Sequence, residues 1–306
     1  KIMGIIIMSK FVTSAVLTLA VAGAVVPATT IVASANSHKE LKTVKVGINS
    51  PSKTDQAVWK IVEKNGEKHG IKIKLVTFTD FNQPNAALKQ GNIDANAFQH
   101  YAFLADWNKA HKSNLQPVGE TVLGPGRLYS DKYKSVKDIP DGGTVAVAND
   151  PTNEARALFL LQAAGLIKIK AGVTSPTVKD IVSSAKHLHV KELAADQTLA
   201  SLKSVDAAVI SATFVEAAGR NPNSAIYVWN ANNKQSHQWV NIIAARHDDA
   251  KKWYIKALVK SYQTKEVGQY INDHNNGTEI AAWQGAPKAK IVTADTASSA
   301  TTASSK

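Results

Sequence analysis

Apolar and polar positions follow two periods along most of the chain. Apolar residues at alternate positions predict half-buried strands, and apolar residues at helical spacing predict amphipathic helices. The first helix follows the candidate N-caps Thr54 and Asp55 and ends at Gly70. The other elements predicted in the first half are strands at 44–48, 71–77, 93–97 and 118–123 and helices at 84–90 and 98–110.

The same alternation restarts at residue 144. The second half predicts strands at 144–148, 188–192, 207–210, 225–229 and 240–246, and helices at 152–164, 198–203, 250–262 and 266–275. Strands that alternate with helices at this spacing indicate βαβ units and a mostly parallel sheet. The chain is therefore predicted to have an α/β fold.

The first 35 residues predict a secretory signal rather than part of the fold. Lys10 precedes an apolar stretch at 11–26, and 33–35 reads Ala-Ser-Ala, which predicts cleavage after Ala35. Met8 is a plausible start of translation. A membrane anchor is the alternative, but the stretch is rather short for a span and contains hydroxyl residues.

Composition limits the partners of the exported chain. The chain from residue 36 keeps 34 of the 36 basic residues and all 24 acidic ones, a net charge of +10. Such a charge favours anionic cell-wall polymers or lipid headgroups. Nucleic acid is not expected, because lysines are spread along the chain and the signal directs export. With no cysteine, we expect neither disulfides nor a lipid anchor.

The segment after strand 144–148 has the features of an anion site. Asp150 can cap a helix in which Pro151 takes the first position. Free N–H groups at a helix start favour an anion, and Arg156 offers a planar fork to a carboxylate. A capped helix with a surface arginine is the alternative. Phe98–His100 and Ser211 also follow strand ends, where ligands of open α/β sheets collect.

Signatures of catalysis and metal binding are absent from the sequence. It contains no G-x-S-x-G, HExxH or Walker motif, and thiol chemistry needs a cysteine. Gly124-Pro125-Gly126 indicates a turn or an interlobe crossing. His187 and His189 face one side of a predicted strand, as a metal site or, alternatively, an exposed strand edge. We therefore expect no enzyme activity, no cofactor and no metal.

Five segments in order resemble the methionine-binding (NlpA-type) solute receptors of ABC importers. They are FTDFNQPN at 78–85, GNIDANAFQH at 91–100, VAVANDPTN at 145–153, VDAAVI at 205–210 and WVNII at 239–243. The resemblance implies a two-lobe, periplasmic-binding-protein-like (type II) fold with a small amino acid in the interlobe cleft. Crossings are expected near 123–126 and 227–229.

The resemblance also implies the division of the chain. A linker at 36–43 precedes the first lobe, which takes 44–123 together with 228–283. The second lobe takes 124–227. Residues 284–306 are rich in Ala, Ser, Thr and Lys and are expected to form a disordered tail.

Carried over by position, the resemblance assigns roles to single residues. Arg156 matches the carboxylate clamp, with Asn149 beside it, and Asn241 matches an Asn that holds the amino acid head group. Phe98 and His100 match groups around the ligand side chain. These types suit methionine, because a buried zwitterion needs each charge hydrogen bonded and a thioether is favoured by aromatic rings.

Several positions depart from the family pattern. Phe81 and Phe103 stand where Tyr is common, which makes the ligand box more apolar, and Ser211 stands where Asn is common. The lipobox cysteine is also missing. L-Methionine is the favoured ligand; a related apolar amino acid or a Met-containing dipeptide is the alternative.

The resemblance implies an extracellular receptor that closes on its ligand and delivers it to an ABC permease in the membrane. A cationic cell-surface adhesion protein built on the same fold is the alternative function. It is supported by the net charge, the absent lipid anchor and the polar tail.

Overall fold

The computed structural model of the chain describes residues 40–229, 236–275 and 277–289. They belong to one compact unit that begins at residue 39. The predicted signal at 1–35 and residues 290–306 of the predicted tail lie outside the described residues. Within the described ranges, no helix is long and apolar enough to cross a membrane.

Strands and helices alternate along the described chain. The strands are β1 (Lys42–Asn49), β2 (Ile71–Phe78), β3 (Ala95–His100), β4 (Gln116–Glu120), β5 (Val122–Leu123), β6 (Gly126–Tyr129), β7 (Thr144–Ala148), β8 (Ile167–Ile169), β9 (Ile181–Ser184), β10 (His189–Leu193), β11 (Ala207–Val209), β12 (Tyr227–Trp229), β13 (Asn241–Ala245) and β14 (Ile280–Ala281). The helices are α1 (Lys53–Lys68), α2 (Gln83–Lys89), α3 (Tyr101–Ala110), α4 (Pro151–Ala163), α5 (Thr198–Ser201), α6 (Ala212–Ala217), α7 (Trp253–Tyr262) and α8 (Lys265–His274).

The first lobe is built on a five-stranded sheet in the order β2-β1-β3-β13-β4. β1 runs parallel to β2 and β3, whereas β13 runs antiparallel to both β3 and β4. Val44 and Val46 of β1 are fully buried against Trp59 of α1 and Leu258 of α7. Burial of these apolar side chains drives the helices onto the sheet.

The second lobe is built on a sheet in the order β10-β7-β11-β6-β12. β7 is parallel to both of its neighbours, and β6 is antiparallel to β11 and β12. Val145 and Val147 pack with Leu158 and Leu161 of α4 in a separate core. The expectation of a mostly parallel sheet is confirmed in both lobes, because four strands of each sheet run in one direction and one strand, β13 in the first sheet and β6 in the second, runs against them.

The chain passes from the first sheet to the second between β5 and β6 and returns between β12 and β13. β12 pairs with β6, so that Val228 lies opposite Arg127 and Trp229 opposite Gly126. Val228 and Trp229 therefore extend the second sheet, although the sequence analysis assigned them to the first lobe. Gly126 fits here because a Cβ would lie 2.9 Å from Leu160 Cδ1.

Two helix starts differ from the expectation. The segment Phe98–His100 belongs to β3, because its backbone pairs with Asn241 and Ile242 of β13, and α3 begins only at Tyr101. Such pairing over more than 140 positions has no local signal.

At α1 the N-cap is Ser52. Its Oγ accepts from the Asp55 N–H at 3.1 Å, while the Asp55 carboxylate accepts from the Ser52 N–H at 2.9 Å. This reciprocal capping box moves the helix start ahead of the expected Thr54 or Asp55 cap.

The C-terminal segment stays packed beyond residue 284. The Ala286 N–H donates to the Trp283 carbonyl at 3.0 Å, and Asn272 Nδ2 of α8 donates to the Pro287 carbonyl at 2.9 Å. Residues 284–287 are therefore part of the packed structure, and the expected start of the tail at 284 is too early.

Candidate functional site

A cavity lies between the two sheets, where β3, β7, β11 and β13 bring side chains from both lobes together. About 90 Å³ is open to the centres of water molecules, several times the roughly 10–15 Å³ that one water needs. Seven of the eight residues expected at the ligand site line it: Phe81, Phe98, His100, Phe103, Arg156, Ser211 and Asn241.

Asn149 is the expected residue that does not line the cavity. It is exposed, and its N–H donates to the Leu193 carbonyl at 2.8 Å, which continues the pairing of β7 with β10. Ala148 before it does line the cavity. Because successive side chains along a strand face opposite ways, Asn149 is directed away. The amide in the cavity comes from Asn153, one turn into α4.

The start of α4 fixes Asn153 in one orientation. Asp150 is the N-cap and Pro151 the first helical residue, as expected. The Asp150 carboxylate accepts from the Asn153 N–H at 3.0 Å and from its Nδ2, 3.0 Å from each carboxylate oxygen. The Asn153 amide nitrogen is thus held by Asp150, and Oδ1 is left to accept from the cavity side.

His100 completes a chain of hydrogen bonds across the cleft. Its Nδ1 accepts from the Phe103 N–H at 3.1 Å, so the ring proton lies on Nε2, 3.2 Å from Asn153 Oδ1. Burial, and to a smaller extent the charge of Arg156, lower the pKa of His100 to about 3. The ring is therefore neutral at physiological pH and links β3 of the first lobe to α4 of the second.

Arg156 presents an unpaired donor beside this chain. Its Nη2 donates to the Gly124 carbonyl at 2.6 Å, and its guanidinium carbon lies 5.3 Å from the centre of the Trp239 ring. Nε is buried without a hydrogen-bond partner among the described residues. Burial lowers the pKa of Arg156 to about 10, against the opposing charge of Glu279, so the group is cationic at pH 7. A buried cationic donor of this kind suits a carboxylate.

Phenylalanines form the apolar wall of the cavity. The ring centres of Phe81, Phe98 and Phe103 lie 5.8–6.2 Å apart. Phe81 also lies 5.0 Å from Phe214 of α6, so the aromatic wall continues into the second lobe. The wall is favourable for an unbranched apolar or thioether side chain.

Asn241 and Ser211 add polar groups from opposite lobes. The carbonyl of Asn241 accepts from the Thr121 N–H at 2.8 Å, which fixes the backbone of the first residue of β13. No hydrogen bond to its side-chain amide is found within the described ranges, so the amide is free to bind a ligand. Ser211 is the N-cap of α6, but its hydroxyl makes no capping bond.

Sequence reasoning missed several residues of the cavity. Arg127 is 1% exposed and donates from Nη1 to the Thr278 carbonyl at 3.0 Å, whereas its Nε and Nη2 have no partner among the described residues. Glu279 and Trp239 also line the cavity. Trp239 and Asn153 lie inside the resemblance segments and were available there. Arg127 and Glu279 carry no motif, and only the tertiary structure brings them to the cleft.

The two histidines considered as metal ligands lie on the surface. Both are exposed, His189 on the edge strand β10, and His187 Nδ1 lies 2.7 Å from Asp141 Oδ1. In the part of the chain that the structure describes, no group of three or more His, Cys, Asp or Glu side chains is placed to hold a metal ion.

Comparison with known proteins gives consistent matches. The sequence profile described as NlpA lipoprotein matches residues 44–283. The D-methionine-binding lipoprotein MetQ of Escherichia coli (strain K12) is 38% identical over 271 residues, which are 87% of this chain and 98% of that protein.

Solved structures of similar proteins cover most of the fold. The substrate-binding protein of a methionine transporter from Streptococcus pneumoniae superposes with a TM-score of 0.75 at 39% identity, over 79% of this chain and 96% of that one. A nutrient-binding protein from Burkholderia cenocepacia bound to methionine gives 0.74 at 40% identity, over 78% and 100%. These neighbours confirm the expected two-lobe solute-binding fold.

Proposed function

The chain belongs to the NlpA lipoprotein family, and from this premise we propose that it is an extracellular receptor that captures L-methionine. It delivers the amino acid to the permease of an ABC importer. The three relatives named above carry methionine in their descriptions, and the one from Streptococcus pneumoniae is described as the substrate-binding protein of a methionine transporter. The family resemblance seen in the sequence is thereby confirmed.

One observation carries the ligand assignment: an unpaired cationic donor and an aromatic wall share one cavity. Arg156 Nε is buried without a partner in the described structure, and the ring of Phe98 stands within 6 Å of both Phe81 and Phe103. The guanidinium binds the carboxylate of the amino acid. The rings take its thioether, with about 0.3–1.5 kcal/mol from each sulfur–aromatic contact.

The remaining polar groups hold the head group. The amide of Asn241 supplies both a donor and an acceptor, and Ser211 supplies a shorter polar arm from the other side of the cleft. The neutral His100 ring places an aromatic edge beside the ligand side chain without adding charge. Phe81 and Phe103 carry no hydroxyl, so the pocket favours an apolar side chain over a polar one.

Ligand capture proceeds by closure of the lobes about the two crossings. His100 and Asn153 already meet across the cleft, as do Phe81 and Phe214. A ligand that contacts Arg156 of one lobe and Asn241 of the other binds the closed state more tightly than the open one. Binding therefore shifts the population towards the closed state.

Export and retention follow from the N-terminal segment and the charge. The signal at 1–35 directs export with cleavage after Ala35, and the mature chain remains without a lipid. Its net charge of +10 supports attraction to anionic cell-wall polymers, an attraction that salt weakens because exposed charges are screened over about 8–10 Å at physiological ionic strength.

A thermal-shift series with an arginine variant tests the function. The exported protein, stripped of ligand by unfolding and refolding, is melted with L-methionine, D-methionine, Met dipeptides and other apolar amino acids. A ligand at a hundredfold excess over its dissociation constant stabilises the fold by about 2.7 kcal/mol. We expect L-methionine to raise the melting temperature and Arg156→Ala to abolish the shift.

The matched control is Arg220→Ala, which removes a half-buried arginine of the same lobe that pairs with Asp131. This variant is expected to keep the full shift. If Arg156→Ala bound L-methionine with near wild-type affinity, the clamp assignment would be wrong. A shift only with another amino acid would replace the ligand and keep the receptor function.

A further inference from the structure

A second chamber adjoins the ligand cavity. About 70 Å³ of it is open to the centres of water molecules, and its wall includes the carboxyl groups of Asp55 and Glu216. The two spaces share part of their lining, namely Phe98, Thr213, Asn241 and Glu279. Glu279 is the acidic residue common to both walls, so its carboxylate stands where the chamber meets the ligand cavity.

Glu279 is placed close to the proposed carboxylate clamp. A Cβ added to Gly124 would lie 3.2 Å from Glu279 Cγ and 3.6 Å from Glu279 Oε1. The carbonyl of the same Gly124 accepts from Arg156 Nη2 at 2.6 Å. A carboxylate and a guanidinium therefore flank one glycine. The charges of an α-amino acid have a similar arrangement, since one carbon separates its ammonium from its carboxylate.

The Glu279 carboxylate has no partner of its own. Across the described residues, neither a hydrogen bond nor an ion pair within 4.0 Å engages it, although Thr278 beside it binds both Arg127 and Glu216. A half-buried carboxylate without a direct hydrogen bond is costly, and Arg127 and Arg156 act on this one only from beyond 4.0 Å. A cationic group of a ligand would remove that cost.

The charged groups around Glu279 come from four elements. Burial, Glu216 of α6 and Asp55 of α1 raise the pKa of Glu279 well above its ordinary value. Arg127 of β6 and Arg156 of α4 act in the opposite direction, and the buried Tyr262 of α7 also faces the group. Acidic groups outnumber basic ones on the chamber side, so the local field favours an added cation.

We propose that Glu279 binds the ammonium group of the ligand, opposite Arg156, and that the site therefore selects amino acids with a free α-amine. This inference rests on the proposed function and names the chemical class that the same cavity accepts. Asn241, which also borders both spaces, supplies a neutral hydrogen bond next to the charged pair.

Calorimetric titration of the exported protein at pH 8 tests the assignment. L-Methionine is compared with 4-(methylthio)butanoate, which keeps the carboxylate and thioether but lacks the amine. In Glu279→Gln we expect L-methionine to bind about 10- to 100-fold more weakly, the factor that loss of a charged hydrogen bond predicts. Binding of the des-amino acid should not weaken, because Glu279→Gln removes no contact to that ligand and takes away a negative charge near the site of its carboxylate.

Glu216→Gln is the matched control, because it removes a carboxyl of the same cluster that lines only the second chamber. It should leave the preference for L-methionine over the des-amino acid intact. Equal weakening of both ligands in Glu279→Gln, or an unchanged preference, would overturn the assignment. If the wild-type protein does not bind L-methionine, the proposed function is wrong for this ligand, independently of Glu279. The comparison is then repeated with the amino acid that the thermal-shift screen identifies and with the des-amino form of that amino acid.

A measurement on the wild type covers the case in which Glu279→Gln does not fold. Because the pKa of Glu279 is raised above its ordinary value by burial and by Glu216, the carboxylate ionises at a higher pH than an ordinary carboxyl group, and its ionised fraction grows as the pH rises. The affinity ratio of L-methionine to its des-amino analogue should grow with it, while the contribution of Arg156 cancels in the ratio. A ratio that stays constant as the pH rises would contradict a role for Glu279.

Discussion

Replacing Asn153 with alanine should weaken ligand binding without disturbing the aromatic wall. In the structure Asn153 Oδ1 lies 3.2 Å from His100 Nε2, and this contact joins the two lobes. A neutral hydrogen bond contributes about 0.5–1.5 kcal/mol net, and leaving the buried ring N–H unpaired costs about 1–3 kcal/mol. When the cleft is open, water can accept the hydrogen bond from His100 in place of Asn153. The cost of the unpaired ring N–H therefore arises only in the closed state.

A closed state weakened by about 1–3 kcal/mol corresponds to a dissociation constant about 5- to 150-fold higher. Calorimetric titration with the ligand that gives the largest thermal shift measures this factor. Thermal melts without ligand show how much of the change comes from the start of α4, because Asn153 also donates to Asp150 at 3.0 Å.

Thr152→Ala separates the two effects. The Thr152 hydroxyl donates to the same Asp150 carboxylate at 3.2 Å but does not line the ligand cavity. We expect its affinity to stay within about twofold of wild type, the size of a minor surface change. Wild-type affinity in Asn153→Ala, or equal weakening in Thr152→Ala, would refute the reasoning, since either result removes the bond across the cleft as the cause.

Two further predictions concern the neutral histidine and the signal. Burial lowers the pKa of His100 in the folded state to about 3. Below about pH 6.5 the unfolded chain therefore takes up a proton at this residue that the folded state does not. The free energy of unfolding falls for this reason as the pH drops from about 6.5 towards 4. In thermal melts, His100→Gln should lose less stability between pH 7 and pH 5 than the wild type. An identical loss would contradict a neutral, buried His100 in the folded state. For export, N-terminal sequencing of the secreted protein should read from Asn36, and an intact leader on it would contradict cleavage after Ala35.

The strongly periodic segments were predictable because their signals are local. The alternation at 44–48 and 144–148 and the capped start of α4 determine strands and helix without help from distant residues. The extension of β3 through His100 was not predictable in this way, because it depends on pairing with β13. The one strand that runs against the others in each sheet, β13 in the first and β6 in the second, depends on distant partners in the same manner.

The residues of the candidate site also fall into those that a sequence pattern predicts and those that only the tertiary structure places. Arg156 and Phe98 stand in segments with a recognisable pattern, and the structure brings them to one cavity. Asn149 was placed there by the family resemblance, but the alternation along β7 turns it to solvent. Arg127 and Glu279 have no pattern around them, and the fold alone carries them to the cleft.

Titration of ligand-free protein with L-methionine by calorimetry tests the proposed function most directly. We predict saturable binding of one L-methionine per chain, in the cavity that Arg156 and Phe98 line together. The absence of binding heat with L-methionine and with every other amino acid in the screen would contradict the receptor function. Surface attachment through the net positive charge would then become the leading hypothesis.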